Sequence, residues 1–85
     1  MNEYLFTFRS MTQAQSGQRL LQRAEIPSLL RRTPKAVASQ GCGFSLAVQS
    51  QRQLLRAAAV LRQRNASYSK IYRLEEDGTL EEVVL

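Results

Sequence analysis

The chain has 85 residues, room for one small domain that buries only about 60–65% of the surface its unfolded form exposes. Hydrophobic residues are 44% and charged residues 22%, an ordinary globular balance, and the net charge is +5. With no His and one Cys, a Ser-His-Asp triad, a Cys-His dyad, a zinc site of ordinary ligands and an intrachain disulfide are all excluded. No metal and no cofactor is therefore expected.

Tyr4-Leu5-Phe6-Thr7-Phe8 alternates large and smaller residues and reads as a strand. Ser10 or Thr12 then caps a helix running to about Ala24, with Ala14, Gly17, Leu21 and Ala24 on one narrow face. Gly17 costs about 1 kcal/mol there relative to Ala, so close packing on a sheet is the expected compensation. Pro27 ends the segment, and Ser28 to Arg32 reads as a second strand. Thr33 to Gly41 is a loop containing Pro34, and Phe44 to Val48 is a third strand. Ser50 caps a second helix to about Arg64, burying Leu54, Ala57, Ala58 and Leu61, with Asn65 as its stop. Ile71 to Leu74 is a fourth strand. Asp77-Gly78 is a hairpin signal that returns Thr79 to Val84 as a fifth.

The two strand–helix–strand halves repeat at a spacing near forty residues, Phe8 with Val48, Ser10 with Ser50 and Leu21 with Leu61. Right-handed crossovers in both halves predict an α+β, ferredoxin-like split βαβ fold. That fold has a four-stranded antiparallel sheet with both helices on one face. Residues 1–74 would form this domain, and residues 75–85 an acidic C-terminal hairpin arm packed on it. The sheet face away from the helices would show Leu5, Thr7, Ser45 and Ala47, a flat and mildly apolar surface suited to a homodimer or a partner.

The charge is unevenly placed. Residues 1–73 hold all twelve bases against Glu3 and Glu25, a segment charge of +10, while residues 74–85 hold five acids and no base. Ten of the bases are Arg, which favours bidentate contact with carboxylate or phosphate. Such a field attracts RNA or an acidic protein surface, unless the acidic segment folds back and offsets it.

The least routine stretch surrounds the only cysteine. Gly41 and Gly43 flank Cys42 and remove side-chain shielding, Pro34 stiffens the approach, and Arg31, Arg32 and Lys35 can favour a thiolate. A thiolate can take sulfur from a persulfide donor without a histidine. The opposite reading is equally physical: free cysteines are often buried, and Cys42 has the core parity of Phe44, Leu46 and Val48 unless the glycines mark a bulge.

Residues Tyr4 to about Tyr72 resemble a family of small bacterial proteins described as selenium/sulfur carriers. The resemblance is carried by Tyr4-Leu5-Phe6-Thr7-Phe8, Ala14, Ile26-Pro27, Thr33-Pro34-Lys35, Ser39 and Cys42-Gly43 opening Ser45-Leu46-Ala47-Val48. It implies that Cys42 bears the sulfur or selenium, supported by Gly41, Gly43, Thr33, Pro34, Lys35, Ser39, Arg31 and Arg32. A donor such as a cysteine desulfurase and an acceptor protein would be its partners. Two departures stand out: Glu25 replaces a Gly before Ile-Pro, and Gln40-Gly41 replaces a more Ser-rich approach. The acidic arm after Leu74 looks like an extension.

The rival reading is a non-catalytic protein- or RNA-binding module with Cys42 structural. Gly41-Cys42-Gly43-Phe44 overlaps the third-strand signature of an RNA-recognition motif. Cys42, Gln40 and Ala47, however, stand where that motif needs aromatic or basic residues, so nucleic acid is not the expected partner. The stretch Ala36 to Val48 is too short and too polar to span a membrane, and the N-terminus lacks signal-peptide features, so a cytoplasmic location is expected. No independent catalysis is expected beyond a sulfurtransferase-type carrier step.

Overall fold

A computed structural model describes residues 2–38, 43–66 and 68–85. In chain order its elements are β1 (Glu3–Phe8), α1 (Met11–Arg23), β2 (Leu29–Arg32), β3 (Phe44–Val48), α2 (Gln51–Gln63), β4 (Ile71–Leu74) and β5 (Leu80–Val83). The strands form one sheet in the order β2-β3-β1-β4-β5, and every neighbouring pair is antiparallel. This corrects the expectation of a four-stranded sheet. One side of β4 pairs with β1 and the other with β5, from Ile71↔Val83 to Leu74↔Leu80, so the acidic segment extends the sheet. Charge favours the pairing: Arg73 binds Glu81 at 2.6 Å and Lys70 approaches Glu82 at 3.7 Å. In the connecting turn Gly78 takes φ 89°, a conformation open to glycine. The Asp77 carboxylate accepts from the Thr79 N–H at 2.9 Å, and hydrogen bonding from the Thr79 side chain, together with this backbone bond, holds its pKa below the ordinary value.

The two halves repeat down to their helix ends. Ser10 and Ser50 are both extended N-caps whose hydroxyls accept from Gln13 N and Gln53 N, each at 3.1 Å. At the other ends, Ile26 N–H donates to Leu21 O and Ala66 N–H to Leu61 O, both at 2.8 Å. Glu25 N–H donates to Gln22 O and Asn65 N–H to Arg62 O. These paired bonds are Schellman motifs, and they put Glu25 at φ 60° and Asn65 at φ 56°. Asparagine tolerates that left-handed conformation, whereas glutamate lacks the short polar side chain that eases it.

Both helices pack on the same sheet face. Tyr4, Phe6, Phe8, Leu46 and Val48 share one core with Ala14 and Leu21 of α1 and with Leu54, Ala57, Ala58 and Leu61 of α2. Gly17 sits where α1 comes closest to the sheet, since a Cβ there would lie 3.0 Å from Phe8 and 3.3 Å from Leu46. The expected compensation for a mid-helix glycine is thus present.

The opposite face is not open in its centre. Leu5, Thr7, Ser45 and Ala47 are 0–1% exposed, which corrects the expectation of a bare apolar surface there. Arg31 lies opposite Ser45 in register yet binds the Glu3 carboxylate, so its side chain must pass diagonally over Ala47 and Leu5. Its methylene stem therefore covers the small central residues while the charge reaches a partner.

Relieving the left-handed glutamate should stabilise the fold. Glu25→Gly removes a steric cost of roughly 1–2 kcal/mol against a smaller rise in unfolded-chain entropy, a net gain of about 0.5–1 kcal/mol in urea denaturation. A loss of stability would contradict the role assigned to this turn.

Candidate functional site

The candidate site is the connection between β2 and β3, and its geometry begins with where the sheet stops. Arg32↔Phe44 is the last strand pair, and one further ladder bond, Thr33 N–H to Gly43 O at 2.9 Å, closes the base of the loop. Pro34 follows at a non-hydrogen-bonded position of this edge strand, where its missing N–H costs no bond to β3. On the departing side the chain turns at once: Val37 N–H donates to Pro34 O at 3.0 Å and Ala38 N–H to Lys35 O at 3.4 Å. Lys35 and Ala36 are exposed, while Pro34, Val37 and Ala38 are half-buried.

A buried hydroxyl pair anchors this base from below. Thr33 Oγ1 and Ser45 Oγ are 2.6 Å apart, with Thr33 6% exposed and Ser45 fully buried. Beside them, Thr7 Oγ1 donates to Lys70 O and accepts from Lys70 N–H, both at 3.1 Å. Each of these three buried hydroxyls thus has a partner, as burial away from water requires.

The residues expected to support the cysteine are not brought to one place. Arg31 and Arg32 are consecutive on a strand and point to opposite faces. Arg31 binds Glu3, whose other carboxylate oxygen accepts from Gln49 Nε2 at 2.9 Å. On the helix side, Arg32 stacks over the Phe44 ring at 5.8 Å from its centroid. Lys35 is left exposed at the loop's start, Thr33 and Pro34 form its base, and Gly43 forms its return. Among the described residues, a Cβ on Gly43 would meet nothing within 4 Å, so the chain is open at that position. Cys42, Gly41 and Ser39 lie outside the described residues.

Among the described residues, no cluster of His, Cys, Asp and Glu could hold a metal ion. Likewise no helix among them is long and apolar enough to cross a membrane.

The family model described as "Putative Se/S carrier protein-like" matches residues 3–73. The chain belongs to that family. The match runs from β1 into β4 and takes in the whole β2–β3 connection, while β5 and its acidic turn fall beyond it. No curated protein and no solved structure matches the chain.

Two partners escaped the sequence reading. Ser45 shows only as a small residue at the outward phase of β3, and its bond to Thr33 joins positions twelve residues apart. Glu3, one of just two acids before Leu74, was a visible signal, since an acid so placed has many arginines to choose from. Which arginine it takes depends on sheet register.

Removing one hydroxyl of the buried pair should be costly. Thr33→Val leaves Ser45 Oγ without its partner and should destabilise the protein by about 1–3 kcal/mol. Thr33→Val with Ser45→Ala should recover part of that loss, because both partners are then apolar. Additive losses in the double variant would contradict the pair.

Proposed function

We propose that the protein carries sulfur or selenium on Cys42 as a persulfide or selenosulfide and hands the atom to a partner protein. The observation that carries this reading is the family match, which spans the loop holding the chain's only cysteine. The loop base supports it. Thr33 and Gly43 hold the two ends together, the Gly43 position itself is uncrowded, and Lys35 adds an exposed cation at the loop's start. The strand order β2-β3-β1-β4, with both helices on one face, supports reading residues 1–74 as a split βαβ domain of ferredoxin-like type. In that reading β5 is an edge addition.

The transfer needs no metal and no histidine. The Cys42 thiolate attacks the outer sulfur of a donor persulfide, such as that on a cysteine desulfurase. A new S–S bond forms as the donor's own S–S bond breaks, and the electron pair leaves on the donor thiolate. An acceptor thiolate then attacks the same outer sulfur and releases Cys42. A donor bearing a terminal selenium transfers it by the same displacement. The exposed Lys35 cation at the loop's start favours the thiolate over the thiol, and docking on donor and acceptor restricts the exchange to those partners.

Intact mass after incubation with a cysteine desulfurase and free cysteine tests this, with an inorganic polysulfide as a second donor and Cys42→Ser beside it. Wild type should gain one sulfur, removable by a mild reductant, and the serine variant none. No gain from either donor would overturn the carrier reading and leave a binding module with a structural cysteine. Gly43→Ala should fold with unchanged stability, so any change in its sulfur uptake reports on access to the thiol.

A further inference from the structure

The helix layer contains no carboxylate. Met11–Arg23 and Gln51–Gln63 hold Arg19, Arg23, Arg52, Arg56 and Arg62 and neither Asp nor Glu. The acids stand elsewhere: Glu3 on β1, Glu25 in the turn after α1, and five in the last segment. There Glu75 and Glu81 pair with Arg73, and Glu82 pairs with Lys70. Folding back therefore offsets cations on the sheet and leaves the helices as they are.

Helical phase gathers the arginines. In α1 the buried stripe is Ala14, Gly17 and Leu21, and Arg19 and Arg23 lie opposite it. In α2 the buried stripe is Leu54, Ala57, Ala58 and Leu61, and Arg52 and Arg56 lie opposite. Arg56 Nη2 donates to the carbonyl of Ala24 at 3.4 Å, which puts the start of α2 beside the end of α1. Each pair is spaced by about 6 Å of helix, and packed helices lie about 8–10 Å apart, so the two pairs form one outward cluster. Among the described residues, Arg19, Arg23 and Arg52 have no hydrogen bond or ion pair. Like charges at this spacing repel, and an anionic ligand reverses the sign of that cost.

The surroundings discriminate between anions. A protein interface is built around aromatic and apolar anchors, and the two helices contain no Phe, Tyr or Trp. Their exposed large hydrophobics are Met11 and Leu55 alone. The same lack argues against a membrane surface, which needs an inserted apolar face, and against a single strand, which needs aromatic platforms. A double helix needs only cations and hydrogen-bond donors for its phosphates. We propose that Arg19, Arg23, Arg52 and Arg56 form a docking surface for the phosphate backbone of double-helical nucleic acid. The surface does not depend on what Cys42 does. The sequence expectation against nucleic acid rests on the missing aromatics of the sheet, and a backbone contact from the helices uses none.

Fluorescence anisotropy with labelled RNA and DNA duplexes tests it across a salt series. Four phosphate contacts predict a slope of log K against log salt of about −3.6, roughly a hundredfold loss between ~50 and ~200 mM. Arg19→Gln/Arg23→Gln/Arg52→Gln should reduce the slope to about −1 and weaken low-salt binding at least about tenfold. Arg56 is retained there because it also bonds Ala24, and thermal unfolding checks that the variant folds. Arg9→Gln/Arg64→Gln/Lys70→Gln removes the same charge elsewhere and should weaken binding far less. Binding to either duplex with this pattern supports the site, and the tighter one identifies its source. No binding at the lowest salt, equal losses in the two triple variants, or equal affinity for polyglutamate would overturn it. The last result would point to an acidic protein surface instead.

Discussion

The 2.6 Å hydrogen bond between Thr33 and Ser45 sits where the sheet ends and the cysteine loop begins. Buried beneath the loop base, it locks the register in which Thr33 faces Gly43. A slip of one residue would turn Ser45 into the helix-side core and Phe44 toward the other face, at the cost of both a buried hydroxyl and a buried ring. The loop's position is therefore set by the sheet.

Local signals made most of the fold legible in the sequence. Strand alternation in Tyr4–Phe8 and Phe44–Val48, the serine caps forty residues apart and Asn65 as a stop each rest on interactions within a few residues. The glycine expected before Ile26-Pro27 also becomes intelligible, because Glu25 occupies a left-handed position that glycine fills without strain. What failed was non-local. An alternating strand shows that one face is polar, yet cannot show that Arg31 crosses that face to reach Glu3 and covers Leu5 and Ala47. Likewise Asp77-Gly78 signals a hairpin, while the joining of β5 to the common sheet depends on β4 being shared between two neighbours. Of the candidate site, Thr33 to Gly41 was readable as a loop containing Pro34 and Gly43 as a glycine beside Cys42, and the opposite directions of Arg31 and Arg32 follow from strand parity alone.

The charge asymmetry resolves into three layers. Acids of the last segment meet Arg73 and Lys70 at one edge of the sheet, Glu3 holds Arg31 across its outer face, and the helices keep their arginines free of carboxylates. Paired surface charges of this kind add little stability, about 0–1 kcal/mol each, so their main effect is on where the remaining field points. That field points outward from the helix layer, away from the face crossed by Arg31.

The central claim concerns the state of one thiol, and its alkylation rate in the folded protein tests it most directly. Cys42 should react with iodoacetamide near neutral pH at least as fast as free cysteine, and the rate should be the same well below the unfolding transition as at mild denaturant concentrations. Protection of Cys42 until the chain unfolds globally would mark it as a core residue and contradict the carrier function.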